Sequence, residues 1–243
     1  MDAFERSDTH TSRRSRNMCS EIARPTERID AGPDHPVIKF VCEQIIAHYQ
    51  KLMSETADVD LQRSLQSLLS SAKRELAIVE ARLSGADVLP TAERRRRLSD
   101  AKAVRQEFQS EFDNSRHPYM LLDPGPGLHI VDINDAYAEA TFINRADVVG
   151  KSLFVILPDN PDHPLADGVS NLYTSLRTVG QTGQPHAMAI QRYDIRGPAS
   201  EFIERHWQPI NTPIHDEEGH LIFLLHHVED VTVQVLSSSS QRG

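Results

Sequence analysis

The spacing of apolar residues changes at Pro118, and this change limits the folds that the chain can adopt. Before Pro118, apolar residues recur every three or four positions, which is the spacing of one face of an α-helix. After it, short runs typical of β-strands are separated by turn segments such as the Pro-Gly-Pro-Gly sequence at 124–127. The sequence therefore predicts an N-terminal helical region followed by an α+β domain.

Two helices are predicted within 35–88, over 35–58 and 59–84, and their short connection should pair them as an antiparallel hairpin. The second helix carries the clearest pattern. Its apolar residues follow steps of three and four and form a coiled-coil seam of Leu61, Leu65, Leu68, Ala72, Leu76, Val79 and Leu83. Because neither helix can bury its apolar stripe alone, we expect this hairpin to form a homodimer.

A third helix is predicted over 91–114, within the segment 89–117 that we interpret as a signalling linker. Its apolar seam includes Phe108 and Phe112, which lie one turn apart. These rings could pack either on the outer face of the sheet that follows or against a second helix in a dimer. In both cases the helix would shift when the following domain changes shape.

The two ends of the chain, 1–34 and 236–243, are predominantly polar. Segments of this composition bury too little apolar surface to offset the entropy lost on ordering, so both are predicted to be disordered tails. The N-terminus lacks the apolar stretch of a signal peptide, and the chain has no apolar run of the ~20 residues that cross a bilayer. We therefore expect a cytoplasmic protein without membrane contact.

The net charge of -9 is carried by residues 118–243, which hold 16 acidic and 7 basic residues. This acidic half should repel phosphate backbones, so nucleic acid is not an expected partner. The one basic run, 94–97, is interpreted as a solvated helix face because Glu93 and Asp100 flank it. A transcriptional regulator whose N-terminal helices contact DNA is the alternative function that stays open.

Four segments of the C-terminal half follow a characteristic order. Residues 119–123 form a β-type run, and residues 129–137 form a second run that leads into a helix start. Residues 144–151 contain a helix that ends in glycine, and residues 227–232 end the last β-type run. In this order the segments resemble the first strand, the second strand with its helix start, the next helix and the end of the last strand in the PAS family. The resemblance implies a PAS domain over 118–235, with short helices, one longer helix and a five-stranded antiparallel sheet.

PAS domains often enclose an apolar cavity between the sheet and the helices, and the resemblance implies one here. Seven residues are the candidates for binding a ligand or cofactor in it: Phe142, Phe154, Leu176, Met188, Gln191, Tyr193 and Trp207. Met188 and Trp207 are the best candidates for a ligand wall because both are large and lie on predicted strands. Gln191 and Tyr193 could provide polar contacts, and ordinary core packing is the alternative for the apolar residues, including Leu153 and Val169.

The sequence does not identify a cofactor. The flavin-binding LOV branch of the PAS family uses a cysteine that is absent from the corresponding stretch, 152–159, and the predicted long helix, 164–182, lacks the histidine of haem-binding PAS domains. A colourless protein is therefore expected. No metal site is predicted, because His226 and His227 are adjacent in a strand and should point to opposite faces.

No nucleophile–base pair and no glycine-rich phosphate loop is visible in the sequence, so we expect no catalytic residues and no enzymatic activity. The predicted function is a cytoplasmic signal sensor or adaptor. Its PAS domain would bind a small molecule or a protein partner. The N-terminal helices would pass the change to a separate signalling protein, such as a kinase or a regulator.

Overall fold

The computed structural model describes residues 35–86 and 101–240. Its N-terminal part is the predicted helical hairpin, formed by α1 (His35–Glu55) and α2 (Val59–Ser84). The side chain of Asp58 accepts hydrogen bonds from two amides in the first turn of α2, and Gly85 ends the helix with a positive φ of 63°. No helix within the described ranges is long and apolar enough to cross a membrane.

The α+β domain follows a third helix, α3 (Ala101–Asn114). In chain order its elements are β1 (Tyr119–Leu122), β2 (Ile130–Ile133), α4 (Asp135–Thr141), α5 (Arg145–Val148), α6 (Leu153–Ile156), α7 (Gly168–Thr182), β3 (His186–Ala187), β4 (Gln191–Arg192), β5 (Ile195–Arg196), β6 (Phe202–Ile203), β7 (His206–His215), β8 (Leu221–Asp230) and α8 (Thr232–Ser240). This arrangement confirms the predicted α+β class.

One antiparallel sheet has the strand order β2-β1-β8-β7-β3, and β4 also pairs with β7. At the edge of the sheet, β3 and β4 are separated by residues 188–190. The short strand β6, which precedes β7, pairs with β5 in a separate small hairpin. The predicted antiparallel sheet is therefore present, with an interrupted edge.

Side chains of the central strands alternate between two apolar layers. Met120, Leu122 and Leu224 face the helices α4 to α7 and are fully buried. Leu121 and Phe223 belong to the other layer, which α3 covers with Val104 and Phe112.

Phe112 lies on the outer face of the sheet, which is one of the two contacts considered from the sequence. Its ring stacks on Tyr119 and meets Phe108 edge to face, both with centroids 6.3 Å apart. The first ten residues predicted for this helix, 91–100, lie outside the described residues, as does the predicted tail 1–34. The arginine run at 94–97 is therefore not described.

The prediction of a disordered tail from residue 236 was wrong for residues 236–240, because α8 extends to Ser240. The amide of Thr232 donates to the side chain of Asp230 at the start of this helix. The hydroxyls of Ser237 and Ser238 each donate to the carbonyl four residues earlier. The serine-rich composition that suggested disorder is thus compatible with a C-terminal helix.

Candidate functional site

A cavity of about 50 Å³ lies between the inner face of the sheet and the helices that cover it. Its wall is mostly apolar and contains a few polar side chains. The lining residues are Tyr137, Thr141, Leu157, Gly168, Leu172, Met188, Gln191, Tyr193, Ile195, Trp207, Pro209, His226 and Val228. An apolar pocket with a few convergent polar groups is the usual form of a small-molecule site.

Four of the seven residues proposed from the sequence line this cavity, namely Met188, Gln191, Tyr193 and Trp207. Their role in binding a ligand stays a prediction. The indole Nε1 of Trp207 donates to the carbonyl of Tyr193 at 2.9 Å, which fixes β7 against the segment after β4. These four residues lie on or beside the interrupted edge of the sheet and its neighbouring strand.

The other three proposed residues do not line the cavity. Phe142 ends α4 in the left-handed region, with φ 58°, and its side chain is 49% exposed. Phe154 packs edge to face on Tyr173, and Leu176 is fully buried in the core, as are Leu153 and Val169. An apolar side chain in the right segment was therefore not enough to place these residues at the cavity, because the helix ends and faces decide which side chains reach it.

Three polar residues of the wall were missed by the sequence analysis: Tyr137 and Thr141 on α4, and His226 on β8. Period-two alternation along β8 could have found His226, because it places His226 with the inward-facing Leu224 and Val228. Burial lowers the pKa of His226 to about 3, so its imidazole is neutral at physiological pH.

A chain of hydrogen bonds connects His226 to the edge of the sheet. Nδ1 of His226 lies 2.7 Å from Oδ1 of Asn211, and the amide of Asn211 donates to the hydroxyl of Ser175 at 2.7 Å. That hydroxyl lies 2.7 Å from Nδ1 of His186 on β3. The neutral His226 therefore donates from Nδ1 to Asn211, which leaves Nε2 as an acceptor. This series of hydrogen bonds connects β8, β7, α7 and β3 beside the cavity.

Tyr193 contributes to the cavity wall a hydroxyl group that lacks a hydrogen-bond partner among the described residues. Its hydroxyl is buried and has no hydrogen-bond partner in the described structure. Burial also raises the pKa of Tyr193 well above the usual value, so the hydroxyl keeps its proton. A buried polar group without a partner costs about 1–3 kcal/mol, and a bound molecule that accepts from this hydroxyl would recover that energy.

Gly168, the first residue of α7, makes room for the ring of Tyr193. A β-carbon at this position would lie 2.0 Å from Cδ2 of Tyr193 and 3.2 Å from a carboxylate oxygen of Asp159. Real β-carbons do not approach ring atoms so closely, so the position of Tyr193 depends on glycine here.

A surface groove of about 280 Å³ adjoins the cavity. Gln191 and Tyr193 line both the groove and the cavity, so the two spaces meet at these residues. The amide of Asn171 holds Gln191 by donating to its Oε1 at 2.7 Å. Movement of these two side chains would change the access to the cavity from the groove.

Helix α2 is bound to the domain next to this wall. Arg74 donates to Asp159 at 2.6 Å and to the carbonyl of Ala166 at 2.8 Å. The other carboxylate oxygen of Asp159 accepts from the amide of Val169 in the first turn of α7. Asp159 therefore lies between α2 and the residues that hold Tyr193.

Two further contacts connect the hairpin to α7. Arg177 donates to Glu80 of α2 at 2.9 Å, and the hydroxyl of Tyr173 donates to the carbonyl of Gly85 at 3.2 Å. The backbone of the two parts also meets directly, because the amide of Ala86 donates to the carbonyl of Pro124 at 2.8 Å. The hairpin thus contacts both the long helix and the turn between β1 and β2.

Helix α3 is bound at both of its ends. Arg105 and Arg145 both contact the buried carboxylate of Asp132 on β2. At the other end, the side chain of Asn134 caps α4 by accepting from the amide of Tyr137, and it donates to the carbonyls of Phe112 and His117. Asn134 therefore both caps α4 and joins the end of α3 to the domain.

The strand order, the helices over one face and the cavity between these helices and the sheet define a PAS-type α+β domain. A sequence model of the PAS fold matches residues 112–236, which is just over half of the chain. The chain therefore belongs to the PAS family, whose domains act in signal sensing.

Comparison with solved structures finds similar folds at low sequence identity. The PAS domain of the fruit-fly ELK potassium channel is 15% identical, over 52% of this chain and 96% of that domain, with a TM-score of 0.40. The LOV protein of Rhodobacter sphaeroides is 14% identical, over 54% of this chain and 68% of that one, with a TM-score of 0.42. A search of curated protein sequences found no match. The family assignment rests on the sequence match over 112–236.

Proposed function

We propose that this PAS protein senses a small polar molecule in its cavity and passes the change to its N-terminal helices. The observation that carries the proposal is the buried hydroxyl of Tyr193, which lacks a partner and belongs to a residue of the cavity wall. His226, with Nε2 as an acceptor, belongs to the same wall. A ligand with both a donor and an acceptor would match these two groups.

The size of the cavity limits the ligand. About 50 Å³ holds only a few water molecules, whereas pockets for drug-sized ligands measure about 300–1,000 Å³. A ligand of few non-hydrogen atoms fits the cavity with its walls as observed, and a flavin or haem does not. This size supports the expectation that the purified protein is colourless.

A non-catalytic role is also part of this proposal. Ser175 and His186 are in contact and resemble a nucleophile–base pair. However, the side chain of Ser175 is buried within α7, its hydroxyl also accepts from Asn211, and the residue does not line the cavity. A substrate in the cavity would not reach this hydroxyl, so the pair is better explained as part of the structural hydrogen-bond chain.

The contacts around Tyr193 offer a route for the signal. The ring lies against Gly168, and a carboxylate oxygen of Asp159 lies near the same glycine. Asp159 is in turn bound to Arg74 of α2. A ligand that moves Tyr193 would change the site at which the hairpin is held. We infer that the hairpin then passes the change to a separate signalling protein in the cytoplasm.

Reducing the volume of the cavity should abolish ligand binding. Val228 lines the cavity, and Val228→Leu adds one methylene to a space of about 50 Å³. Val131→Leu makes the same change in the outer apolar layer and is the matched control. Mass spectrometry of the freshly purified proteins, followed by a thermal-shift screen of small polar molecules, would measure binding.

The expected result is a molecule that raises the melting temperature of the unmutated protein and of Val131→Leu but leaves that of Val228→Leu unchanged. Equal stabilisation of all three proteins would place the binding site outside the cavity. A protein that neither retains nor binds any molecule of the screen would contradict the small-molecule proposal and favour a sensor of protein partners.

We also propose that the hairpin forms a homodimer. Leu65 and Val79 of the predicted seam are buried within the chain, but Leu61 and Leu68 are 48% and 47% exposed. Helix α1 also carries exposed apolar residues, namely Val37, Ile38, Phe40, Val41 and Ile45. A second copy of the chain presents the same apolar stripe, and two-fold pairing would cover both.

Leu68→Glu is expected to shift the protein from dimer to monomer, because it places a charge in the apolar surface. Multi-angle light scattering would measure the mass in solution. Arg63→Glu on the same helix is a control, since Arg63 is already in a solvated, charged environment. An unmutated protein that is monomeric at high concentration would contradict the dimer.

A further inference from the structure

A group of three potential metal ligands lies where α3 joins the sheet, outside the cavity. His117, His227 and Glu229 each bring a ligand atom to within 4.8 Å of the others. The sheet register explains why they meet. His227 and Glu229 lie two residues apart on β8 and share a face, while Tyr119 of β1 pairs with His227. His117 precedes Tyr119 by two residues, which places it opposite Glu229 in the antiparallel pair.

The distances approach those of a bound ion. Nδ1 of His117 and Nε2 of His227 each lie 3.8 Å from Oε1 of Glu229. Two ligands at about 2.1 Å from a tetrahedral zinc ion are separated by roughly 3.4 Å. A movement of a few tenths of an ångström would therefore bring these pairs to coordination distance.

His227 supplies a second observation that favours an ion. Its Nε2 is buried and has no hydrogen-bond partner in the described structure. Its ring is positioned by Tyr119 and His117, with centroids 5.3 and 5.2 Å away. The side chains of His117 and Glu229 are 60% and 51% exposed, which gives an ion access from solvent.

A second group, Asp216, Glu218 and His220, meets the same distance criterion, but hydrogen bonds already connect its members. Asp216 accepts hydrogen bonds from the amides of Glu218 and His220 and lies 3.0 Å from Nδ1 of His220. These contacts form the turn between β7 and β8, so this group is explained without an ion.

We propose that His117, His227 and Glu229 bind a divalent transition-metal ion of the zinc type, with water in the remaining position. Two imidazoles and one carboxylate suit zinc, cobalt or nickel, whereas calcium and magnesium prefer oxygen ligands. The ion would fasten the linker after α3 to the last strand of the sheet. Metal binding at this point would stiffen the connection between α3 and the PAS domain.

Titration of the full chain, freed of metal with a chelator, tests the proposal. Calorimetry with Zn²⁺ should show about one ion per chain, and Co²⁺ should give the visible absorption of a tetrahedral or five-coordinate complex. His227→Gln and Glu229→Gln are each expected to weaken binding at least about tenfold, because each removes one of three protein ligands. His220→Gln should bind as tightly as the unmutated protein.

Hydrogen exchange adds a readout of position: Zn²⁺ should slow exchange at residues 115–118 of the unmutated protein and leave the turn at 216–219 unchanged. Circular dichroism would show that the variants are folded. The proposal is overturned if the unmutated chain binds no ion, or if His220→Gln loses binding while His227→Gln and Glu229→Gln keep it.

Discussion

Arg74→Met is expected to lower the free energy of unfolding by about 3–5 kcal/mol, because it leaves a buried carboxylate without its cation. Asp159 is 1% exposed at its side chain, and Arg74 lies 2.6 Å from it with 21% exposure. Methionine keeps much of the length and apolar contact of the arginine stem but removes both hydrogen bonds. The decrease in the free energy of unfolding should therefore measure the contact between α2 and the cavity wall rather than a change in packing.

Arg63→Met is the matched control for this prediction. Arg63 is on the same helix and also contacts an aspartate, Asp60, but the two side chains are 72% and 91% exposed. Such surface pairs contribute about 0–1 kcal/mol. Urea denaturation of both variants gives the comparison, and adding Asp159→Asn to Arg74→Met should restore part of the loss. If Arg74→Met costs no more than Arg63→Met, Asp159 does not hold the hairpin to the domain.

Phe112→Ala is expected to cost about 3–5 kcal/mol, which is the usual effect of removing a buried aromatic ring. Phe112 is 3% exposed and belongs to the apolar layer between α3 and the outer face of the sheet. The loss should be concentrated in this layer, because the inner layer of the sheet has a separate set of contacts. Phe142→Ala removes the same ring from a position that is 49% exposed and should cost much less.

Hydrogen exchange distinguishes a local effect of Phe112→Ala from a general one. Protection should fall in 101–114 and persist in β7 and β8, if α3 transmits the state of the domain without being required for its core. Equal loss of protection in α3 and in both strands would mean that Phe112 is part of one cooperative unit with the PAS core.

The sequence was sufficient to predict features that depend on local patterning. The spacing of three and four residues between apolar positions in 59–84 predicted α2, and the Pro-Gly-Pro-Gly sequence at 124–127 predicted the turn between β1 and β2. Both features follow from interactions within a few residues. The order of strands and helices was also recognisable, because turns and helix caps in a PAS domain come in a characteristic order.

Features that depend on tertiary register could not be predicted from the sequence. The meeting of His117 with Glu229 requires the pairing of β1 with β8, which are about 100 residues apart in the chain. The pair of Arg74 and Asp159 joins residues separated by 85 positions. Likewise, Phe142 is apolar and lies in the expected segment, but the end of α4 turns it toward solvent. Register and helix ends, rather than residue type, decided these positions.

Hydrogen exchange in Gly168→Ala tests most directly the coupling of the cavity wall to the N-terminal hairpin. The added β-carbon would displace Tyr193 from inside the domain without touching α2. Gly180→Ala is the positive control, since its β-carbon would meet the carbonyl of Ala86 at 2.1 Å and disturb the hairpin directly.

In Gly168→Ala, exchange should accelerate in 188–195 and also around Arg74 in α2, by about tenfold or more, which corresponds to ~1.4 kcal/mol of local opening free energy. Faster exchange in 188–195 with no change in α2, while Gly180→Ala alters α2 as expected, would contradict the proposed coupling.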